Sequence, residues 1–136
     1  RIHSRKIVLD NLLQTVKNIT KQPFPFQNLE IKKEFALIKK NNPLIGDGER
    51  ACMAVAKYTK DVVASSNFRD IVLFCRANHI LYLGTLDILV IALRKNIFDE
   101  ERCNRFIETA RNKNNARFLP EVKVITDYKP SDISFI

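Results

Sequence analysis

Glu49, Asn67, Asp70 and Asp87 are the residues of this chain whose types and spacing bear most directly on chemistry. All four lie within residues 46 to 89, and each falls where a helix is expected to begin. Carboxylate oxygens gathered at one place suit a hard divalent cation such as Mg²⁺ or Mn²⁺. Such an ion can generate a hydroxide nucleophile and offset the charge on a scissile phosphate. The same residues also fit plain helix capping. Asn67 and Asp70 match an N-cap with an acid three positions on. Glu49 and Asp87 sit in first turns, where a carboxylate gains ~0.3–1 kcal/mol from the helix dipole. Spacing alone leaves both readings open.

The surrounding pattern sets where these residues meet. A helix is expected from Asp47, as N-cap, to about Thr59, with Ala51, Ala54, Val55 and Tyr58 inward. Asp61–Ser65 is a short apolar run typical of a strand covered on both faces. A helix follows with Phe68, Ile71, Val72 and Cys75 inward, and then a strand at Ile80–Leu83. Gly84 and Thr85 open a helix carrying Ile88, Leu89, Ile91, Ala92 and Leu93. Asp99–Glu101 form the acidic first turn of another, with Cys103, Phe106, Ile107 and Ala110 inward. Glu121–Thr126 alternates like a strand, and Asp132–Ile136 is a candidate edge strand.

If these strands are parallel, each carboxyl end leads into the next helix, the edge at which open α/β sheets bind ligands. Asn67 and Asp70 then follow the first strand and Asp87 the second, while Glu49 opens the helix that starts at the same edge.

Upstream, Leu9, Leu12, Leu13, Val16 and Ile19 recur with helical period, so residues 5 to 19 are expected to be a helix with Asp10 outward. Pro23 and Pro25 cannot continue it, and Phe24 and Phe26 between them read as a loop anchored on the core. Asn28 can cap a second helix with Ile31, Phe35 and Ile38 inward, ended by Asn41-Asn42-Pro43. Strands alternating with helices argue for a single α/β domain over 1–136 with a mainly parallel sheet. It divides into a helical part at 1–45, a core at 46–126 and a tail or edge strand at 127–136.

Lysine and arginine outnumber aspartate and glutamate 23 to 15, a formal net charge of +8 that favours a polyanionic partner such as RNA. No apolar run approaches the ~18 residues that would mark a membrane span. Cys52, Cys75 and Cys103 are widely spaced on apolar stripes, which indicates buried thiols and a reducing, cytoplasmic compartment. Neither His3 nor His79 stands at metal-ligand spacing from them. Ser65 and Ser66 read as turn residues. Arg69, next to the carboxylate edge, is the expected phosphate contact.

Three ordered blocks, Gly48-Glu49-Arg50-Ala51-Cys52-Met53-Ala54, Ser65-Ser66-Asn67-Phe68-Arg69-Asp70-Ile71 and Thr85-Leu86-Asp87-Ile88-Leu89, resemble the C-terminal half of PIN-domain proteins. A weaker likeness extends through Glu101-Arg102-Cys103 towards residue 126. The resemblance implies a three-layer α/β/α sandwich around a short, mainly parallel sheet. It also implies an Mg²⁺- or Mn²⁺-dependent endoribonuclease of the bacterial toxin–antitoxin kind, with RNA, an antitoxin protein and a second copy of the chain as partners.

On this likeness Glu49 matches an acidic position of the family's quartet. Asn67 falls where the family has an aspartate, leaving Asp70 or Asp87 to supply the charge. The family's first strand and its aspartate are expected upstream of Arg1. The expected site is therefore Glu49, Asp70 and Asp87 on the metal, Asn67 orienting a water or phosphate oxygen, and Arg69 on RNA. Two competing expectations are a PIN-like module that binds nucleic acid or protein without cleavage, and a structural domain whose acids only cap helices.

Overall fold

A computed structural model describes residues 10, 11, 14, 16–114 and 120–134. Within them the order is α1 (Leu29–Asn41), α2 (Asp47–Thr59), β1 (Val63–Ala64), α3 (Phe68–Ala77), β2 (Tyr82–Leu83), α4 (Thr85–Arg94) and α5 (Glu100–Asn114). A 3-10 turn follows at Ile125–Asp127. The protein is α/β and helix-rich. β1 and β2 pair in parallel, Val63 opposite Tyr82 and Ala64 opposite Leu83. No helix among the described residues is long and apolar enough to cross a membrane.

Local chemistry explains most of the boundaries. The Asn28 side-chain oxygen accepts the Glu30 and Ile31 amides at 3.1 Å, which fixes the start of α1 as its sequence suggests. Gly46, and not Asp47, is the N-cap of α2. Asp47 instead pairs with Arg50 in the first turn, so its carboxylate serves an ion pair where a cap was expected. Of the N-terminal helix expected over 5–19, Asp10, Asn11 and Gln14 are helical, and Asp10 lies 3.6 Å from Lys21. His3, Leu9, Leu12 and Leu13 lie outside the described residues, and from Val16 to Asn28 the chain is turns and irregular backbone.

Two apolar clusters are built on the two strands. Val63, Met53, Ile71 and Cys75 belong to the first, with Ile31 and Ile38 of α1; Phe24 packs on it, its ring tilted by 57° against that of Phe35 with centroids 5.2 Å apart. The proline-flanked loop is therefore anchored, as its sequence suggests. Leu83, Leu86, Leu89, Val90, Cys103 and Ile107 belong to the second, which Val122, Ile125 and Ile133 close from the C-terminal side.

Several expected inward residues face solvent instead. Tyr58, Ile88 and Phe106 are exposed, because each helix presents a narrower stripe than its apolar content allows. On α2 that stripe runs through Arg50, Met53 and Ala54. Cys52 is exposed as well; Cys75 and Cys103 are buried, and burial pushes the Cys75 thiol up to about 11.

The expected strands are shorter than the apolar runs that suggest them, and β1 has Val63 buried but Ala64 exposed, so it is not covered on both faces. The strand expected at 121–126 is a bend leading into the 3-10 turn. Its backbone donors go to side chains and not to a ladder. Asp127 accepts the Lys123 and Val124 amides at 2.9 and 3.1 Å, and Asn104 accepts that of Ile125 at 2.7 Å. Those backbone donors also hold the Asp127 carboxyl below its usual range. The tail at Asp132–Ser134 is a turn held by Asp132, whereas residues 135 and 136 lie outside the described residues.

Candidate functional site

Glu49 stands in the first turn of α2, half-buried, with its carboxylate turned towards the end of β1. There the Ser65 hydroxyl donates to Glu49 Oε1 at 2.8 Å. The backbone places that serine: Ser65 N donates to Leu83 O at 3.0 Å, continuing the parallel ladder one residue past β1. Ser65 Oγ in turn accepts the Asn67 amide at 3.0 Å, a side-chain turn that sets the entry to α3. Asn67 does not cap α3 with its side chain; its Nδ2 donates to Asp70 Oδ2 instead. Glu49, Ser65, Asn67 and Asp70 thus form one hydrogen-bonded row at the carboxyl end of β1. Arg69, exposed beside it, makes no ion pair with a described residue.

Asp87 lies at the same edge but in a different environment. Phe68 of α3 comes so close to Gly84 that a Cβ there would stand 3.0 Å from its ring, which brings the starts of α3 and α4 together. Asp87 itself is turned inward and is 0% exposed. Its Oδ2 accepts Gly84 N at 2.7 Å and Ser131 Oγ at 3.2 Å. Its Oδ1 accepts Tyr128 Oη at 2.9 Å and Ser131 N at 2.8 Å. A carboxylate offers about four lone-pair directions, and all are taken.

In this arrangement Asp87 caps α4 and ties down the C-terminal segment, and no oxygen remains for a cation. The hydrogen bonds on both oxygens differ from the open ligand role expected of it. Burial, then the Asp87 hydrogen bond and negative charge, push the Tyr128 phenol up to about 12.

Four of the five expected site residues therefore come together: Glu49, Asn67, Asp70 and Arg69. Ser65, which links them, reads in sequence as a turn residue; its place directly after an apolar strand, two residues before Asn67, is the signal that marks it. Tyr128 and Ser131 have no local signal, since they are 41 and 44 residues from Asp87. Asp87 does carry one. It stands three residues before Val90 and next to Leu86, on the buried stripe of its helix.

The row offers two carboxylates, Glu49 and Asp70, joined through Ser65 and Asn67. Mg²⁺ usually takes one or two protein carboxylates and completes its shell with water and substrate phosphate. Glu49 and Asp70 are two such groups, each with one oxygen engaged by a described neighbour. Among the described residues no three acidic, histidine or cysteine side chains gather to hold a metal by themselves. In comparisons with known proteins, no family model, curated protein or solved structure matches this chain.

Proposed function

We propose that this chain is a PIN-like domain that acts on RNA as a divalent-metal-dependent endoribonuclease of the toxin–antitoxin kind. The observation that carries the reading is the Glu49–Ser65–Asn67–Asp70 row at the carboxyl end of a parallel strand, the edge where α/β sheets present their ligands. The three-layer sandwich, the antitoxin partner, the homodimer and cytoplasmic residence enter with the same reading. The excess of 23 basic over 15 acidic residues supports a polyanionic substrate.

In this reading Glu49 and Asp70 hold Mg²⁺ or Mn²⁺, which when bound offsets the charge that builds on a phosphate under attack. The Ser65 hydroxyl fixes the Glu49 carboxylate, and the Asn67 amide fixes that of Asp70, so neither has to reorient as RNA arrives. Arg69 binds a phosphate oxygen beside them and positions the backbone. Asp87 takes no part in the chemistry; it holds the C-terminal segment in place.

The test is RNA cleavage with Mn²⁺ by the chain and by Glu49→Gln. The variant is expected to lose activity by about a hundredfold, the upper end of what even an outer-shell partner contributes. Equal cleavage by both would sink the role given to Glu49. A second reading, RNA binding without cleavage, is favoured by the saturation of Asp87, which leaves two carboxylates and an amide in the row. Retention of RNA with no Mn²⁺-dependent cleavage in the same assay would select it.

A further inference from the structure

Next to Asp70 the surface opens into a cleft of about 650 Å³ between the loop after α1 and the outer face of α3. That volume falls within the ~300–1,000 Å³ of small-ligand pockets. Its floor is Met53, which is fully buried. Phe74 lines one wall, half-buried. Leu44 and Leu73 stand on opposite sides, 97% and 78% exposed, two large apolar groups left in water at one opening. Asn41, the last residue of α1, and Asn42 line the same wall, and Arg69 and Asp70 form the rim it shares with the acidic row.

The loop wall is held from beneath. Arg50, only 6% exposed, donates from Nη2 to Pro43 O at 2.7 Å and pairs with Asp47. Ile45 N donates to Asn42 O at 3.2 Å and closes the turn. Two nitrogens of this buried guanidinium find acceptors, one of them the carbonyl of the cleft loop, while Arg50 Nε has no partner among the described residues. The loop wall is thereby tied to α2.

Apolar walls, two asparagines and a rim that holds one arginine beside one aspartate match one type of guest. An unpaired base presents two apolar faces and a hydrogen-bonding edge, and the phosphate beside it carries the charge. An amide pairs with adenine through two hydrogen bonds, donating to one ring nitrogen and accepting from the exocyclic amine. Resting on the RNA-directed reading above, we propose that this cleft seats an unpaired adenine of single-stranded RNA. Asn41 and Asn42 read the base edge, Leu44, Leu73 and Phe74 cover its faces, and Arg69 takes the adjoining phosphate. The chain then selects where on an RNA the acidic row acts.

The test is fluorescence anisotropy of the full chain with short labelled homopolymers of A, U and C, without added divalent cation. Oligo-A is expected to bind about tenfold more tightly than oligo-U, within the range of a single base contact. Leu73→Asp, at an exposed position, is expected to weaken oligo-A binding about tenfold without changing the thermal melt. Asn41→Ala with Asn42→Ala is expected to erase the base preference, and Arg69→Ala to weaken all three oligomers alike.

RNA binding that the Leu73 and asparagine variants leave unchanged, with the same base ranking, would overturn the pocket and leave the RNA reading standing. No binding of any oligomer by the wild-type chain would overturn both. If Leu73→Asp alters the sedimentation of the chain and not its RNA affinity, the cleft is a protein-contact surface and the base assignment is wrong.

Discussion

The two parallel strands run side by side to the same edge, yet the acids beyond them meet opposite surroundings. After β1, Glu49 and Asp70 are half-buried and each keeps one oxygen without a described hydrogen-bond partner. After β2, Asp87 is sealed, with four donors on its two oxygens. Each of the three is an acid in the first turn of a helix. What separates them is cover. The Tyr128–Ser131 segment returns over the start of α4, whereas the start of α3 borders an open cleft. A first-turn acid therefore becomes structural or available according to what a distant part of the chain lays over it.

The largest expected effect follows from removing the sealed acid. Asp87→Ala leaves Gly84 N, Tyr128 Oη and both Ser131 donors without their acceptor in a closed site. Each orphaned buried group costs ~1–3 kcal/mol, with partial rehydration, so a total loss of about 3–5 kcal/mol is expected in urea unfolding. Glu49→Gln is expected to change stability by less than about 1 kcal/mol, because its partner Ser65 can reach water. Comparable losses for the two variants would erase the distinction between the regions.

The legible part of this contrast is the half that depends on neighbours in sequence. The order of helices and strands, the parallel pair and the Asn28 cap follow from periodicity and short-range capping chemistry. Glu49 and Asn67 could be placed at one edge because the strand between them fixes it. The rest depends on long-range packing. Asp127, next in sequence, takes two amides of Glu121–Thr126, but nothing nearby says that Asn104 takes a third, so the alternation looks like a strand. Likewise Phe106 and Ile88 satisfy a helical stripe but are left exposed among the described residues. Asp87 is an acid on an apolar face with one local donor, Gly84 N, but its other three donors come from beyond residue 127.

Alkaline pH sharpens the comparison from the sealed side. The Tyr128 phenol is raised from 10.0 to about 12, so the folded chain holds that proton more tightly than the unfolded one. Below about pH 10 both states are protonated and the contribution is complete. Between about 10 and 12 the unfolded chain releases the proton first, and stability falls as pH rises. Tyr128→Phe removes this slope along with the hydrogen bond to Asp87, at a cost of about 1 kcal/mol at neutral pH. The check is the difference between the two chains in urea midpoint from pH 9 upward. A gap that stays constant with pH would mean that Tyr128 is not coupled to the seal.

On the open side the effect on stability is equally modest, and there it separates positioning from folding. Ser65→Ala deletes the donor to Glu49 and the acceptor for Asn67 N, both within reach of water. The expected loss is ~0.5–1.5 kcal/mol, that of one ordinary hydrogen-bonding group. The carboxylate of Glu49 then loses the donor that fixes its orientation. If the pair holds a cation, Mn²⁺ affinity measured by calorimetry drops by about tenfold although the fold is nearly intact, as for other outer-shell partners. A variant that binds Mn²⁺ as the wild type does, but unfolds several kcal/mol more easily, would make Ser65 a strut of the β1–α3 turn. The open edge would then be structural as well, and the two strand ends would differ only in how deeply their acids are buried.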